Sequence, residues 1–330
     1  MSDHFDILAD ELEKDIEASL SEAFAQVVNA IDIDALAAAI QSDDDAAIAA
    51  ALNLDEGLQI HLDHALANGL FYVLLGGIVI AMKRFANRHG SVVHPDREVA
   101  RLTAEIRRNV VEPLARRAYE SALVTIQILR AAGLDASTIA QEATRALSLT
   151  PDQAKSVAYF HRALEEAINS PHATHHSGGV NIPRLTAKEI SRRHAGHLNA
   201  AQRSILTKTL AGDLTPEGIT HLTARHSRAL SDFRHSAIAR QEAVRIVNVG
   251  EYLAFKQGKA NRSIPKDVRR FWLTREDERV RHSHSQVPGL NPDGVDVGEA
   301  FQTPFGPVLY PPLEVNCRCR VAVRTPEIEA

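Results

Sequence analysis

Bases are almost missing from the start of this chain. Among residues 1–63, Lys14 stands alone against 16 Asp and Glu, a balance of −15. The rest holds 26 acids and 36 bases, a balance of +10, so the formal net charge of −5 averages two unlike parts. Cysteine is scarce as well. Two in 330 residues exclude a disulfide-built scaffold and suit a reducing compartment. Aromatic residues make up 5%, with Trp272 the single tryptophan, which argues against a single-strand nucleic-acid binder that stacks bases on aromatic rings. No basic stretch followed by an apolar core and a small-residue cleavage site opens the sequence, so an export leader is not expected. Gly-rich phosphate loops, Gly-x-Gly-x-x-Gly and His-Glu-x-x-His are all missing, which leaves ATP hydrolysis, dinucleotide binding and zincin chemistry without support.

Long apolar runs are also few. Leu70 to Met82 carries no charge, but it is shorter than the roughly 20 residues a bilayer span needs. Gly76-Gly77 lowers helix propensity in its middle. Its reading is a buried bundle helix, with membrane insertion, as in an ejection protein, as the alternative.

What is present is helical periodicity. Ile7, Leu8, Leu12, Ile16, Leu20, Phe24, Val27, Val28 and Ile31 recur at spacings of three and four, the period of an amphipathic helix. Asp43-Asp44-Asp45 starts an Ala-rich helix, since carboxylates suit a helix N-terminus. Arg97 to Arg130 is a long helical pattern, broken or kinked near Pro113. Thr150-Pro151-Asp152-Gln153 is a capping box that opens a helix to about Ile168. Residues 169–184 cluster Pro, Gly, Ser and Asn and read as a linker. His172, His175 and His176 lie in it with nothing to fix a metal geometry, and read as solvated. Thr186 to Glu189 is a second capping box, and Thr215-Pro216-Glu217 starts a further helix. To about residue 258 the pattern is one of helical hairpins. The expected organisation is a helical N-terminal domain over 1–168, acidic through 63, then the linker, then a domain over 185–325 with helices at 185–258. The fold class is mainly α, with a small loop-rich α+β module at 270–325.

In that module Phe271-Trp272-Leu273-Thr274 and Cys319 to Val323 read as short strands separated by Gly and Pro turns. Both cysteines stand one residue apart in Asn316-Cys317-Arg318-Cys319, and two histidines stand one residue apart in His282-Ser283-His284. Thiolate and imidazole suit zinc. In a strand, residues i and i+2 share a face, so each pair could present two donors together. The candidate ligands are His282, His284, Cys317 and Cys319, with Asp277 in place of His282 as an alternative. Against this, structural zinc loops use wider Cys spacings, and free Cys is often a small buried hydrophobe; in that reading His284 and Asp277 are hydrogen-bonded struts. A Cys–His–Asp nucleophilic triad from the same residues is conceivable on paper.

The order of these residues resembles the phage Mu F-like, or phage head morphogenesis, family. The quoted match runs Ala239-Arg240-Gln241-Glu242, Phe271-Trp272-Leu273-Thr274, Asp277-Glu278-Arg279-Val280-Arg281-His282-Ser283-His284, Gly294, Glu299-Ala300-Phe301, Pro311-Pro312 and Asn316-Cys317-Arg318-Cys319. Gln241 departs from the usual Thr, and the stretch around Pro288 to Asn291 is individual to this chain. The resemblance covers about residues 185–325 and leaves the acidic N-terminal part outside it. It implies a few-copy minor capsid protein of a tailed phage or prophage that binds the portal and assists head assembly, DNA packaging or DNA ejection. The implied location is the virion head near the portal vertex, and the host cytoplasm during assembly. No catalysis and no small-molecule substrate are expected; the alternative is a metal-dependent hydrolase or nuclease on the His/Cys cluster. On the resemblance, Trp272, Asp277, Arg281, His284, Asn316, Cys317 and Cys319 carry the motif. The charge split then suggests an acidic end docking on portal or capsid components and a basic body meeting packaged double-stranded DNA without sequence preference.

Overall fold

Local signals account for most helix starts. The computed structural model describes residues 4–52, 70–90, 93–94, 102, 104–169, 192, 198, 200–209, 215–275, 277–314 and 316–324. Within them, α1 spans His4–Ala30, α2 Ile33–Gln41 and α3 Asp45–Ala51. Asp32 and Asp44 cap α2 and α3, each carboxylate accepting two backbone N–H bonds, as Asp does at N-caps. Then come α4 Leu70–His89, a π-helical turn Arg107–Val111, α5 Glu112–Ala131, α6 Ala136–Ala146, α7 Pro151–Asn169, α8 Ala200–Thr209 and α9 Pro216–Ala260. Pro113 follows this π-helical turn in the opening positions of α5; the helix changes its hydrogen-bond pattern there and is not interrupted. The Thr150–Gln153 capping box forms in both directions, at 3.0 and 3.3 Å.

Two expectations change. The hairpin pattern after Thr215 is a single 45-residue helix, α9. Its apolar positions stay in register, and no Pro interrupts it after Pro216. The other concerns His282 to Leu290, where a strand pairing His282 with His284 and a turn at Pro288-Gly289 were expected; these residues form α10. The remaining regular structure is β1 Arg269–Leu273 paired antiparallel with β2 Arg320–Arg324, placing Trp272 opposite Val321. The described residues are thus mostly helical, with one small two-stranded sheet in the C-terminal region. The linker beyond Asn169, its three histidines and the Thr186 to Glu189 box lie outside the described residues.

The chain divides into two compact units, neither continuous in sequence. The first comprises Met1–Ala23, Ala65–Asn109 and His235–Ala330; the second comprises Phe24–His64 and Val110–Arg234. In the second, Phe160, Ala163, Leu164, Leu198 and Ile219 form a buried cluster, and Ala146, Leu149, Ala154 and Val157 form another.

In the first unit, α1, α4 and the C-terminal half of α9 bury one another. A Cβ at Gly77 would come within 2.8 Å of Leu12 and 2.9 Å of Ile246. A Cβ at Gly250 would come within 2.5 Å of the Ala81 side chain and 2.7 Å of the Ile78 carbonyl. The glycine that weakens α4 as an isolated helix is what lets its neighbours approach. The Leu70 to Met82 run lies in α4, with Leu74, Ile78, Ala81 and Met82 buried. No single described helix is long and apolar enough to cross a membrane by itself.

The acidic residues of α1 have partners inside the same unit. Glu11 pairs with Arg84 at 3.3 Å, Glu13 with Arg240 at 2.9 Å, and Asp6 with Arg275. Part of the charge split is therefore matched within the chain. Each exposed pair contributes little stability, but together they fix which face of α1 meets the basic helices.

Candidate metal centre

The C-terminal module is built around one buried arginine and one tryptophan. Trp272 on β1 packs edge-on against Phe301 at 5.3 Å, with Val287, Val295, Cys317 and Cys319 completing the buried cluster. Arg270, two residues earlier on the same strand, is 1% exposed. Its guanidinium donates to the carbonyls of Leu309 at 2.6 Å, Asp296 at 3.0 Å and Glu299 at 2.5 Å. It also lies over the rings of Tyr252 and Phe301. Burial lowers its pKa to about 10, which still leaves it charged at neutral pH. Loops with no sheet of their own thus hang on one fork-shaped donor, a role suited to Arg's fixed geometry. Gly294 closes the turn below it with φ +65°, and a Cβ there would strike the Arg270 carbonyl at 2.6 Å.

Three of the four candidate ligands converge beside this core. His284, Cys317 and Cys319 place one donor atom each within 4.8 Å of one another, and they are 3%, 1% and 3% exposed. Cys319 Sγ lies 3.5 Å from His284 Nδ1. The two cysteines share a face of the extended segment leading into β2, as the i, i+2 rule requires. Asn316 delivers them: it adopts φ +60°, and the Cys317 amide turns back to the Glu314 carbonyl at 3.1 Å. Asn is among the few residues that take this left-handed conformation readily. Its place in the motif is therefore conformational, and its side chain is exposed. Asn316→Gly should leave stability nearly unchanged, whereas Asn316→Val should cost about 1–2 kcal/mol. Urea denaturation monitored by far-UV circular dichroism measures both, and equal losses for the two variants would contradict a backbone role.

The other sequence candidates sit elsewhere. His282 does not join the cluster. It opens α10 instead of lying on a strand, and two residues on a helix turn the side chain by about 200°. It is exposed and bonded to Gln286. Asp277 is no ligand either. It is exposed and held by Arg318 in a two-pronged pair at 2.7 and 2.6 Å, and those hydrogen bonds keep its carboxyl below the usual range. The same pairing removes Asp277 from any Cys–His–Asp triad. Arg281 caps α10 through its backbone, its carbonyl accepting from His284 N and Ser285 N.

Two residues were invisible from sequence. Glu314 places Oε2 3.1 Å from His284 Nε2, although nothing in the local pattern marks it apart from its position three before Cys317. Arg270 is hidden in a pair of arginines. Electrostatically, the hydrogen bond from the Cys319 thiol, aided by backbone N–H groups and by His284, lowers the Cys317 pKa to about 6. The Cys319 thiol is raised by the same neighbour and by burial. Of the two sulfurs Cys317 is the more acidic, and thiolate is the form that binds metals. The donor set can hold a metal ion.

Comparison with family models, with curated proteins and with solved structures finds no match for this chain. The resemblance to head morphogenesis proteins therefore rests on the quoted residues.

Proposed function

We propose that the chain is a minor capsid, or head morphogenesis, protein of a tailed phage or prophage. It binds the portal and assists head assembly, DNA packaging or ejection, and it is not an enzyme. The observation that carries this reading is that the apolar and sulfur-bearing residues of the resemblance pack on one another. Trp272, Phe301, Cys317 and Cys319 share one buried cluster, with His284 against Cys319. Such an arrangement maintains a shape. A metal-dependent hydrolase built on the same residues would need a substrate to reach them, and their burial opposes that. Zinc is the ion that two thiolates and an imidazole suit. In a small module rich in turns it would act as a staple, because metal binding contributes directly to folding.

The charge distribution supports a partner role of a narrower kind than the composition alone suggests. Arg84, Arg240 and Arg275 are engaged by α1. Exposed bases remain on α5 and α9, among them Arg116, Arg225 and Arg228. Any contact with packaged DNA is assigned to these and needs no sequence preference. Binding to duplex DNA should weaken steeply with salt; a slope near zero would remove DNA from the account. The reading as a whole is tested by quantitative mass spectrometry of purified heads from the phage or induced prophage. It expects a few copies of the chain per head, and absence from assembled heads would contradict it.

A further inference from the structure

We infer that His284 Nδ1, Cys317 Sγ and Cys319 Sγ are three ligands of one zinc-type divalent ion, and that Glu314 is the positioning residue that holds the His284 ring for it. The inference rests on the reading of the cluster as a metal staple. Its first support is the size of the site. Zinc–sulfur bonds of about 2.3 Å and zinc–nitrogen bonds of about 2.0 Å set tetrahedrally put sulfur and nitrogen about 3.5–3.6 Å apart. His284 Nδ1 and Cys319 Sγ stand at 3.5 Å, so this edge of the coordination shell is already formed. All three donors lie within 4.8 Å of one another, so closing the remaining edges takes side-chain adjustment of about an ångström, with no change of fold.

A second support is the direction of the ring. One nitrogen of a neutral imidazole carries the proton and the other the lone pair, and the partner of the first decides which is which. Glu314 Oε2 sits 3.1 Å from Nε2. A carboxylate accepts hydrogen bonds and cannot donate one when ionised, so Nε2 carries the proton and the Nδ1 lone pair faces the sulfurs. Carboxylate behind histidine behind metal is a recurrent way of orienting the ligand and raising its basicity. A third support comes from the far side. The Trp272 Nε1–H is buried with no hydrogen-bond partner, in the same buried cluster as Cys317 and Cys319. A buried donor without an acceptor is costly, and a metal-bound thiolate supplies one.

The test uses the full chain, freed of metal and titrated with zinc and separately with cobalt. Wild type should take up one equivalent of zinc, and its cobalt form should show thiolate-to-cobalt charge-transfer absorption. Glu314→Ala should keep that absorption but bind about 10- to 100-fold more weakly. Glu314→Gln, whose amide oxygen still accepts from Nε2–H, should recover part of the loss. Glu314 is partly exposed, so both variants should fold, which circular dichroism verifies. Glu314→Ala binding as tightly as wild type would overturn the positioning role while leaving the metal reading in place. Wild type without stoichiometric zinc and without the thiolate band would overturn the metal site itself.

Discussion

Arg270→Leu is expected to unfold the C-terminal module while most helices persist. The substitution keeps an apolar body in the buried position but removes the guanidinium that satisfies the carbonyls of Leu309, Asp296 and Glu299. Each buried carbonyl left without a donor costs about 1–3 kcal/mol. Offsetting this, the variant no longer buries a charge, which is itself unfavourable. The net expected loss is about 3–5 kcal/mol. Arg270→Lys should be little better, because one ammonium on a flexible stem cannot reach three carbonyls fanned around a planar fork. Trp272 is the only tryptophan and lies in the same cluster as these loops, so its fluorescence reports this module alone. The expected result is a red-shifted, solvent-exposed emission under conditions where the helical circular dichroism signal is largely retained. Unchanged emission and an unchanged unfolding midpoint would show that the loops hold together without Arg270.

The second large effect pairs two glycines with opposite expected signs. Gly250→Val should be strongly destabilising, by at least about 3 kcal/mol. The position lies where α9 crosses α4, and even a first carbon would overlap Ala81 and the Ile78 carbonyl. The obstacle is partly backbone, so relief requires the helices to separate and to give up their close approach at Ile78, Ala81 and Met82. Gly76, one turn along α4, has nothing within 4 Å of a built Cβ. Gly76→Ala should therefore stabilise by up to about 1 kcal/mol, the helix-propensity difference between Gly and Ala. Chemical denaturation followed at the helical band measures both. Similar shifts for the two variants would contradict the close crossing of α4 and α9.

These contrasts show what could be read from sequence. Signals acting over a few residues were legible. The Asp44 cap, the Thr150–Gln153 box, the helical irregularity next to Pro113 and the strand around Trp272 all follow from local chemistry. The shared face of Cys317 and Cys319 followed from the period of an extended segment. What failed depended on residues distant in the chain. Pro288-Gly289 looked like a turn, yet α10 carries Pro288 because Val287 and His284 bury one face of that helix against the module core. With α10 came the reversal of His282, since a helix separates the very pair that a strand would have aligned. Glu314 and Arg270 are unremarkable until the fold brings them to His284 and to three loop carbonyls. The acidic start suggested an external partner by composition. Its Glu11 and Glu13 also meet Arg84 and Arg240, pairings that span 73 and 227 residues of chain and leave no trace in any short window.

The central claim is that the motif-bearing module is a structural part of a protein that works by attachment to the portal. It is most directly tested by titrating the purified chain onto isolated portal rings of the same phage, with nuclease turnover assayed on the same samples. The account predicts saturable binding at a few copies per ring and no turnover above background. Turnover that disappears in His284→Ala, in a chain that does not bind the portal, would contradict it.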